Sequence, residues 1–229
     1  MHSGENRRMA DRNTGTTVAA ILWATAVQFF IAQAIVQLGW TTPFSLRDNF
    51  ISDLGNTTCG PYPLDSAMYV CSPWHAWMNA SFIVFGIQIV AGTVLFFRTV
   101  PFTFARTLGW ALVFLAGPGV ILVGIYPENG SIELHRLGAA LNFVCGNLGM
   151  AAFGLATRSV EPWKRVWPFT TIAGVVGAVA TVLFVEEIFL GLGIGGMERV
   201  AAYPLPIWMI VVGAWWLLRR SEEPIETPS

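Results

Sequence analysis

The sequence predicts an all-helical (all-α) membrane protein: a polytopic transmembrane helix bundle of six spans with both termini in the cytoplasm. Only 12% of its 229 residues are charged, whereas soluble domains carry about 25%. The mean hydropathy is +0.58. These values are typical of membrane proteins. The net charge of −1 and the absence of a basic stripe give no indication of a nucleic-acid partner.

Six apolar runs are each long enough to cross a bilayer, which takes about 20 residues. They lie near 17–39, 76–97, 105–126, 135–157, 167–190 and 200–218. We expect the third to kink or break at Pro118, because proline removes a backbone donor. The sixth contains Tyr-Pro-Leu-Pro at 203–206, which predicts an irregular first turn. Tryptophans near the span ends, Trp163 and Trp208 among them, predict an interfacial aromatic belt.

The Lys and Arg residues predict the orientation of the spans. With the N-terminus inside, ten of the 13 fall on the inner side and three, Arg47, Arg136 and Arg199, on the outer side. Residues 41–74 then form an extracytoplasmic loop of a membrane domain at 17–220. Residues 1–16 and 221–229 are polar and are predicted to be disordered cytoplasmic tails.

The first span has a second interpretation, as a cleaved signal peptide that would leave five spans. Ala-Gln-Ala at 32–34 resembles a signal-peptidase site. The apolar run continues past this site to Trp40, which favours an uncleaved helix.

Two of the three cysteines, Cys59 and Cys71, share the predicted outer loop. Paired thiols oxidise outside the cytoplasm, so we expect a disulfide between them. The spacing contains no C-x2-C pair, which disfavours a thiolate metal site. Cys145 lies within the fourth span and is interpreted as a small buried apolar residue.

Two histidines, His75 and His135, lie at the predicted outer ends of the second and fourth spans. With Asp53 they are candidates for a metal site of two histidines and one carboxylate, and with Glu128 or Glu133 for an acid–base pair. The alternative is that both histidines only hydrogen-bond loop backbone. No H-E-x-x-H or H-x3-H motif is present, so the sequence predicts no metal and names no cofactor.

Polar residues near the outer span ends extend this set of candidates. Asn79 is four residues after His75 and Asn142 is seven after His135, so each pair shares a helix face and is a candidate to line an outward cavity. Charged side chains are costly within lipid. Glu186, near the outer end of the fifth span, is therefore expected to face protein or water, with Arg199 as a candidate ion-pair partner.

Three motifs carry a family resemblance: "FISDLG" at 50–55, "GIYPENGSIELHRLGAALNF" at 124–143 and "GGMERV" at 195–200. Together they resemble the prokaryotic membrane proteins called domain of unknown function 998, which are distantly similar to the FRAG/DRAM/Sfk membrane proteins. The resemblance covers nearly the whole membrane region and implies six helices with an extracytoplasmic Ile-Ser-Asp loop. It supplies no activity for the prokaryotic family. Links between the eukaryotic relatives and lipid-anchor remodelling imply lipid handling.

The motif positions add site candidates to those found from the residues. The motif positions are Ser52, Asp53, Gly55, Pro127, Glu128, His135, Gly138, Ala139, Glu198 and Arg199. The candidates for a ligand pocket are Ser52, Asp53, His75, Asn79, Glu128, His135, Glu186, Glu198 and Arg199. The catalytic candidates are Asp53, His75 and His135.

These residues lead to the hypothesis of a multi-pass protein of the cell membrane whose outward-facing polar pocket binds a lipid headgroup or another amphiphile. The predicted partners are the lipid bilayer and this ligand; no oligomeric state is predicted. One alternative is a non-catalytic structural or partner-binding subunit. Others are a lipid-modifying hydrolase and a small transporter, for which a broken third helix would be the support.

Overall fold

A computed structural model of the protein describes residues 14–62 and 68–221. Six helices in this part of the chain are long and apolar enough to cross a membrane, which confirms the predicted bundle. They are α1 (Thr14–Leu38), α2 (His75–Thr99), α3 (Phe104–Ile125), α4 (Ile132–Ala156), α5 (Trp167–Val185) and α6 (Gly193–Arg219). The predicted tails lie mostly outside the described residues. The exception is the start of α1, because Thr14 is already helical.

Several helices contain short segments of different winding. The last turn of α2, Phe97–Thr99, is a 3-10 helix, and α1 contains a 3-10 turn at Thr25–Val27. In α4, a π-helical turn at Leu141–Gly146 separates the α-helical stretches Ile132–Ala140 and Asn147–Ala156. Such π-helical turns occur frequently at functional sites.

Helix α3 continues through Pro118, so the expected break is absent. The flanking glycines explain how the neighbouring helices support this stretch. A Cβ atom on Gly117 would lie 2.6 Å from a side-chain carbon of Val90 in α2. A Cβ atom on Gly119 would lie 2.6 Å from the carbonyl oxygen of Gly138 in α4. Two close helix contacts therefore hold α3 on either side of the proline.

The connection between α5 and α6 also differs from its prediction. Helix α5 ends at Val185, because Glu187 and Leu190 adopt φ values of 57° and 50°, which a right-handed helix does not allow. Helix α6 begins earlier than expected. Gly193–Ala202 is followed by a second helical stretch at Pro204–Ser221, which continues two residues beyond the apolar span, so the irregularity of α6 lies at the junction of these two stretches rather than in its first turn.

A cluster of aromatic rings fills the core at the end of the bundle where α2 joins α3 and α4 joins α5. Trp23 lies at its centre, with ring centroids 4.7 Å from both Phe96 and Trp208. Trp163 and Trp208 are 1% and 0% exposed, so they are core residues and their assignment to an aromatic belt is wrong. The Trp208 indole donates a hydrogen bond to the hydroxyl of Thr170 (2.8 Å), which satisfies its polar group within the core.

The opposite end of the bundle, which we call the loop end, is covered by the connections α1–α2, α3–α4 and α5–α6. In the first connection, strands β1 (Gly60–Pro61) and β2 (Tyr69–Val70) pair antiparallel. The disulfide between Cys59 and Cys71 joins the chain beside this pair, as predicted. A 3-10 turn at Ser52–Gly55 lies below them. Residues 51–56 are all buried, so this part of the loop belongs to the core.

Candidate functional site

Residues 49–56, which we call the ISD segment, are held by side chains from two helices. The backbone N–H of Ile51 donates to Glu198 Oε2 (2.6 Å), and Arg199 Nη1 donates to the carbonyl of Asn49 (2.8 Å). Asn79 Nδ2 donates to the carbonyl of Gly55 (2.9 Å). A segment this short cannot satisfy its own backbone, so polar side chains of α2 and α6 provide the partners.

Asp53 and Glu128 form a buried pair of carboxyl groups. Asp53 is fully buried, and its Oδ2 accepts hydrogen bonds from Asn49 Nδ2 (3.0 Å) and the Phe50 N–H (2.9 Å). Ser52 Oγ donates to Glu128 Oε2 at 2.7 Å. Burial, followed by the hydrogen bond to Asp53 and that residue's charge, raises the pKa of Glu128 well above its ordinary value. Glu128 therefore keeps its proton to a higher pH than an exposed glutamate would.

Tyr62, in the connection between α1 and α2, binds Glu128 of this pair. Its hydroxyl donates to the carbonyl oxygen of Glu128 at 3.0 Å. Burial and the nearby Glu128 carboxyl raise the pKa of Tyr62 to about 12, so the phenol remains a neutral donor at physiological pH.

A cavity of about 40 Å³ lies beneath the ISD segment. A buried water needs about 10–15 Å³, so this volume accommodates about three water-sized groups. The polar side chains that line it are Ser52, His135, Asn142 and Glu198. The apolar ones are Phe29, Ile51, Phe82, Val120, Val123, Ala139, Phe143 and Ala202. One small space thus has both a polar and an apolar wall.

His135 and Asn142 both reach this cavity from α4, as their shared helix face predicted. His135 Nδ1 lies 2.9 Å from the carbonyl oxygen of Tyr126. A carbonyl only accepts, so Nδ1 carries a proton and Nε2 of the neutral ring is left as an acceptor. Asn142 lies in the π-helical turn, and its buried Oδ1 has no hydrogen-bond partner.

Six of the nine predicted pocket residues are not among those that line the cavity: Asp53, His75, Asn79, Glu128, Glu186 and Arg199. His75 Nδ1 is 2.9 Å from the carbonyl of Ser72, which is the backbone role weighed as the alternative. Asn79 supports the ISD segment from its edge. Glu186 is exposed just beyond the end of α5, because the chain turns away there. Arg199 binds backbone carbonyls instead of pairing with Glu186.

The metal hypothesis required Asp53, His75 and His135 to converge. Within residues 14–62 and 68–221, no three His, Cys, Asp or Glu side chains are grouped as metal ligands would be. His75 and His135 instead bind different backbone carbonyls, Ser72 and Tyr126.

Two residues of the site were not predicted from the sequence. Asn49 bridges the carboxylate of Asp53 and the backbone of Ser45, and Tyr62 contacts Glu128 from the β1 end of the loop. Asn49 directly precedes the Phe-Ile-Ser-Asp motif, which was the one available signal. Tyr62 is 66 residues from Glu128 in sequence, so nothing local connects them.

Comparison with known proteins gives one finding. A family model described as "Protein of unknown function (DUF998)" matches residues 11–215. The matched range includes the three sequence motifs and every residue that lines the cavity. No curated protein and no solved structure matches the chain.

Proposed function

Because the chain belongs to the DUF998 family, whose function is unknown, we propose its function from its own site: the cavity beneath the ISD segment binds the polar end of a membrane lipid or another amphiphile. The observation that carries the proposal is the mixed lining of the cavity. Ser52, His135, Asn142 and Glu198 provide its polar wall, and side chains of α1, α2 and α3 provide its apolar wall. Binding sites for small molecules combine a few convergent polar groups with an apolar surround in this way.

The depth of the cavity also supports an amphiphilic ligand. His135 is the fourth residue of α4 and Asn142 the eleventh. At 1.5 Å rise per residue, they lie roughly 5 and 15 Å from the start of the helix. Half of a bilayer's hydrocarbon core is about 15 Å thick. The cavity therefore spans the depth at which a lipid passes from headgroup to acyl chain.

The ISD segment gives this cavity a rigid roof. Ser52 and Ile51 belong to both the segment and the lining, and the segment is bound to α6 through Glu198 and Arg199. Because the predicted orientation puts the loop end outside the cytoplasm, the proposed ligand comes from the outer leaflet. A rigid roof lowers the entropic cost of ordering the site when the ligand binds.

Native mass spectrometry of the full chain, purified from its own membrane in mild detergent, tests the proposal. Ala202 lines the cavity, so Ala202→Phe fills it. Val211 on the same helix is 44% exposed, so Val211→Phe is the matched control. We expect a retained amphiphile in the wild type and in Val211→Phe, and its loss in Ala202→Phe. Equal retention in both variants, or none in the wild type, contradicts the proposal.

A second candidate function, lipid modification, rests on Ser52. Its hydroxyl lines the cavity and donates to Glu128, while His135 lies in the same lining. A bound lipid would thus meet a hydroxyl that is hydrogen-bonded to a carboxyl group and an imidazole, the groups used in acid–base and nucleophilic chemistry. In this version Asp53 and His135 take the acid–base roles.

Lipid analysis of a strain that lacks the gene separates the two functions. The strain is complemented with wild type or with Ser52→Ala. An enzyme predicts that Ser52→Ala retains the bound amphiphile in the purified protein but fails to restore the lipid composition. A binding protein predicts that the wild type and Ser52→Ala have the same lipid composition.

A further inference from the structure

The polar side chains of the cavity offer hydrogen-bond acceptors in preference to donors. Ser52 uses its hydroxyl hydrogen on Glu128 at 2.7 Å, which leaves its oxygen lone pairs for the cavity. His135 uses its Nδ1 hydrogen on Tyr126 at 2.9 Å, which leaves the lone pair of Nε2. Neither side chain therefore has a hydrogen left to donate to a ligand in the cavity.

Asn142 and Glu198 add two further acceptors to the same lining. The buried Oδ1 atom of Asn142 has no hydrogen-bond partner, and such an atom costs stability unless something donates to it. Glu198 is 7% exposed and accepts a hydrogen bond from the Ile51 N–H (2.6 Å). A carboxylate has about four lone-pair sites, so Glu198 can accept further donors from a ligand.

The cavity wall itself contains no cationic side chain. No Lys or Arg side chain is among the residues that line the cavity. The ion pairs Arg47–Asp48 and Lys164–Glu161 do not include Glu198. Arg199 follows Glu198 in sequence and its charge acts on that carboxyl group, but Arg199 is not among the residues that line the cavity, and its Nη1 atom donates to the carbonyls of Leu46, Asn49 and Gly195.

We propose that the amphiphile bound in this cavity carries an ammonium group, whose N–H donors meet Ser52, His135, Asn142 and Glu198. The inference rests on the proposed function and names its ligand class. An ammonium group has three donors and no acceptor, which complements the acceptor atoms of the lining, and its charge favours the ionised form of the Glu198 carboxyl group. A phosphate group has only acceptors to offer, so it would meet the acceptors of Ser52, His135 and the Oδ1 atom of Asn142.

The size of the cavity suits this head group. About 40 Å³ holds about three water-sized groups, enough for an ammonium and its first methylenes. These methylenes would contact the apolar wall formed by Phe29, Phe82 and Val120, and the remaining chain would lie outside the cavity.

The test compares four probes on the full-length protein in detergent by isothermal titration calorimetry. Dodecylamine, dodecanol and dodecyl phosphate share one chain and differ in the head group. Spermidine supplies amines without an apolar chain. We expect dodecylamine to bind at least tenfold more tightly than the other three. Tighter binding of dodecyl phosphate overturns the inference, and spermidine binding equal to that of dodecylamine overturns its amphiphilic part.

Two variants that each remove one negative charge test whether Glu198 causes the preference for an amine over an alcohol. Glu198→Gln keeps an oxygen for the Ile51 N–H but removes the charge at the cavity. Glu186→Gln makes the same change at an exposed position of the loop end. We expect Glu198→Gln to reduce the preference for amine over alcohol at least tenfold and Glu186→Gln to leave it unchanged. An unchanged preference in Glu198→Gln overturns the inference.

The two levels of the proposal fail in different ways. If Ala202→Phe leaves the binding of all dodecyl probes unchanged, the cavity is not the binding site and the proposed function fails. If Ala202→Phe abolishes binding but amine, alcohol and phosphate bind equally, the cavity binds amphiphiles and only the ammonium inference fails. The comparison of head groups uses only the wild-type protein, so its result does not depend on whether a variant folds.

Discussion

The raised pKa of Glu128 makes a quantitative prediction about stability. A glutamate in an unfolded chain has a pKa of about 4.3. In the folded protein the pKa of Glu128 is well above this value, first through burial and then through the hydrogen bond to Asp53. Between the two pKa values the folded state keeps a proton that the unfolded state has released. The stabilisation is therefore complete below about pH 4.3 and is lost as the pH rises through the folded pKa.

The size of this effect follows from linkage. Within that window the free energy of unfolding falls by up to about 1.4 kcal/mol for each unit of rising pH. For a chain of this length, 1 kcal/mol corresponds to about 2–4 °C in the melting temperature, which gives roughly 3–6 °C per pH unit. Glu128→Gln removes the titrating proton. The amide can still donate to Asp53 and accept from Ser52, so the geometry of the pair is retained.

The assay is thermal unfolding in detergent between pH 5 and 8, followed by tryptophan fluorescence. We expect the melting temperature of the wild type to fall with rising pH and that of Glu128→Gln to fall much less. Glu133→Gln, at an exposed position at the start of α4, is the control and should keep the wild-type slope. A Glu128→Gln slope as steep as the wild type's would refute the raised pKa of Glu128.

Three further predictions concern stability and are read out in the same unfolding assay. Gly119→Ala should destabilise by about 1–3 kcal/mol, because its methyl group would lie 2.6 Å from a carbonyl oxygen of α4; Gly60→Ala, where nothing lies within 4 Å, is the control. Cys59→Ser opens the disulfide and should cost up to about 3 kcal/mol, whereas Cys145→Ser should have little effect. Asn147→Ala removes a buried 2.9 Å hydrogen bond between α4 and α6 and should cost about 1–3 kcal/mol. Equal melting temperatures for a variant and the wild type would contradict the corresponding contact.

The bundle was predictable because its signals are local. An apolar run of about 20 residues marks a span whatever it packs against, and two cysteines in one outer loop indicate their own pairing. The course of α3 through Pro118 was not predictable in this way. It depends on close contacts with Val90 of α2 and Gly138 of α4. The local sequence around the proline does not show that these two residues lie beside it.

The site was predicted in part, for a related reason. Ser52, Glu128, His135 and Glu198 came from motifs whose order along the chain resembles one family, and all four lie at or next to the cavity. Glu186 was placed in the pocket from its position at a span end, but the positive φ of the next residue turns the chain away. Sequence spacing therefore predicted which residues share a helix face. The conformation of the turns, which spacing does not show, determines which of these faces lie together in the folded protein.

Cavity occupancy can be measured most directly with a photoreactive amphiphile. Dodecylamine with a diazirine on its second carbon is irradiated with the full-length protein, and the labelled peptides are mapped by mass spectrometry. Binding in the cavity predicts labels in residues 49–56 and 135–143, competed by unlabelled dodecylamine and lost in Ala202→Phe. Labels confined to lipid-exposed positions such as Val94 and Val211, with no competition, would contradict a binding site beneath the ISD segment.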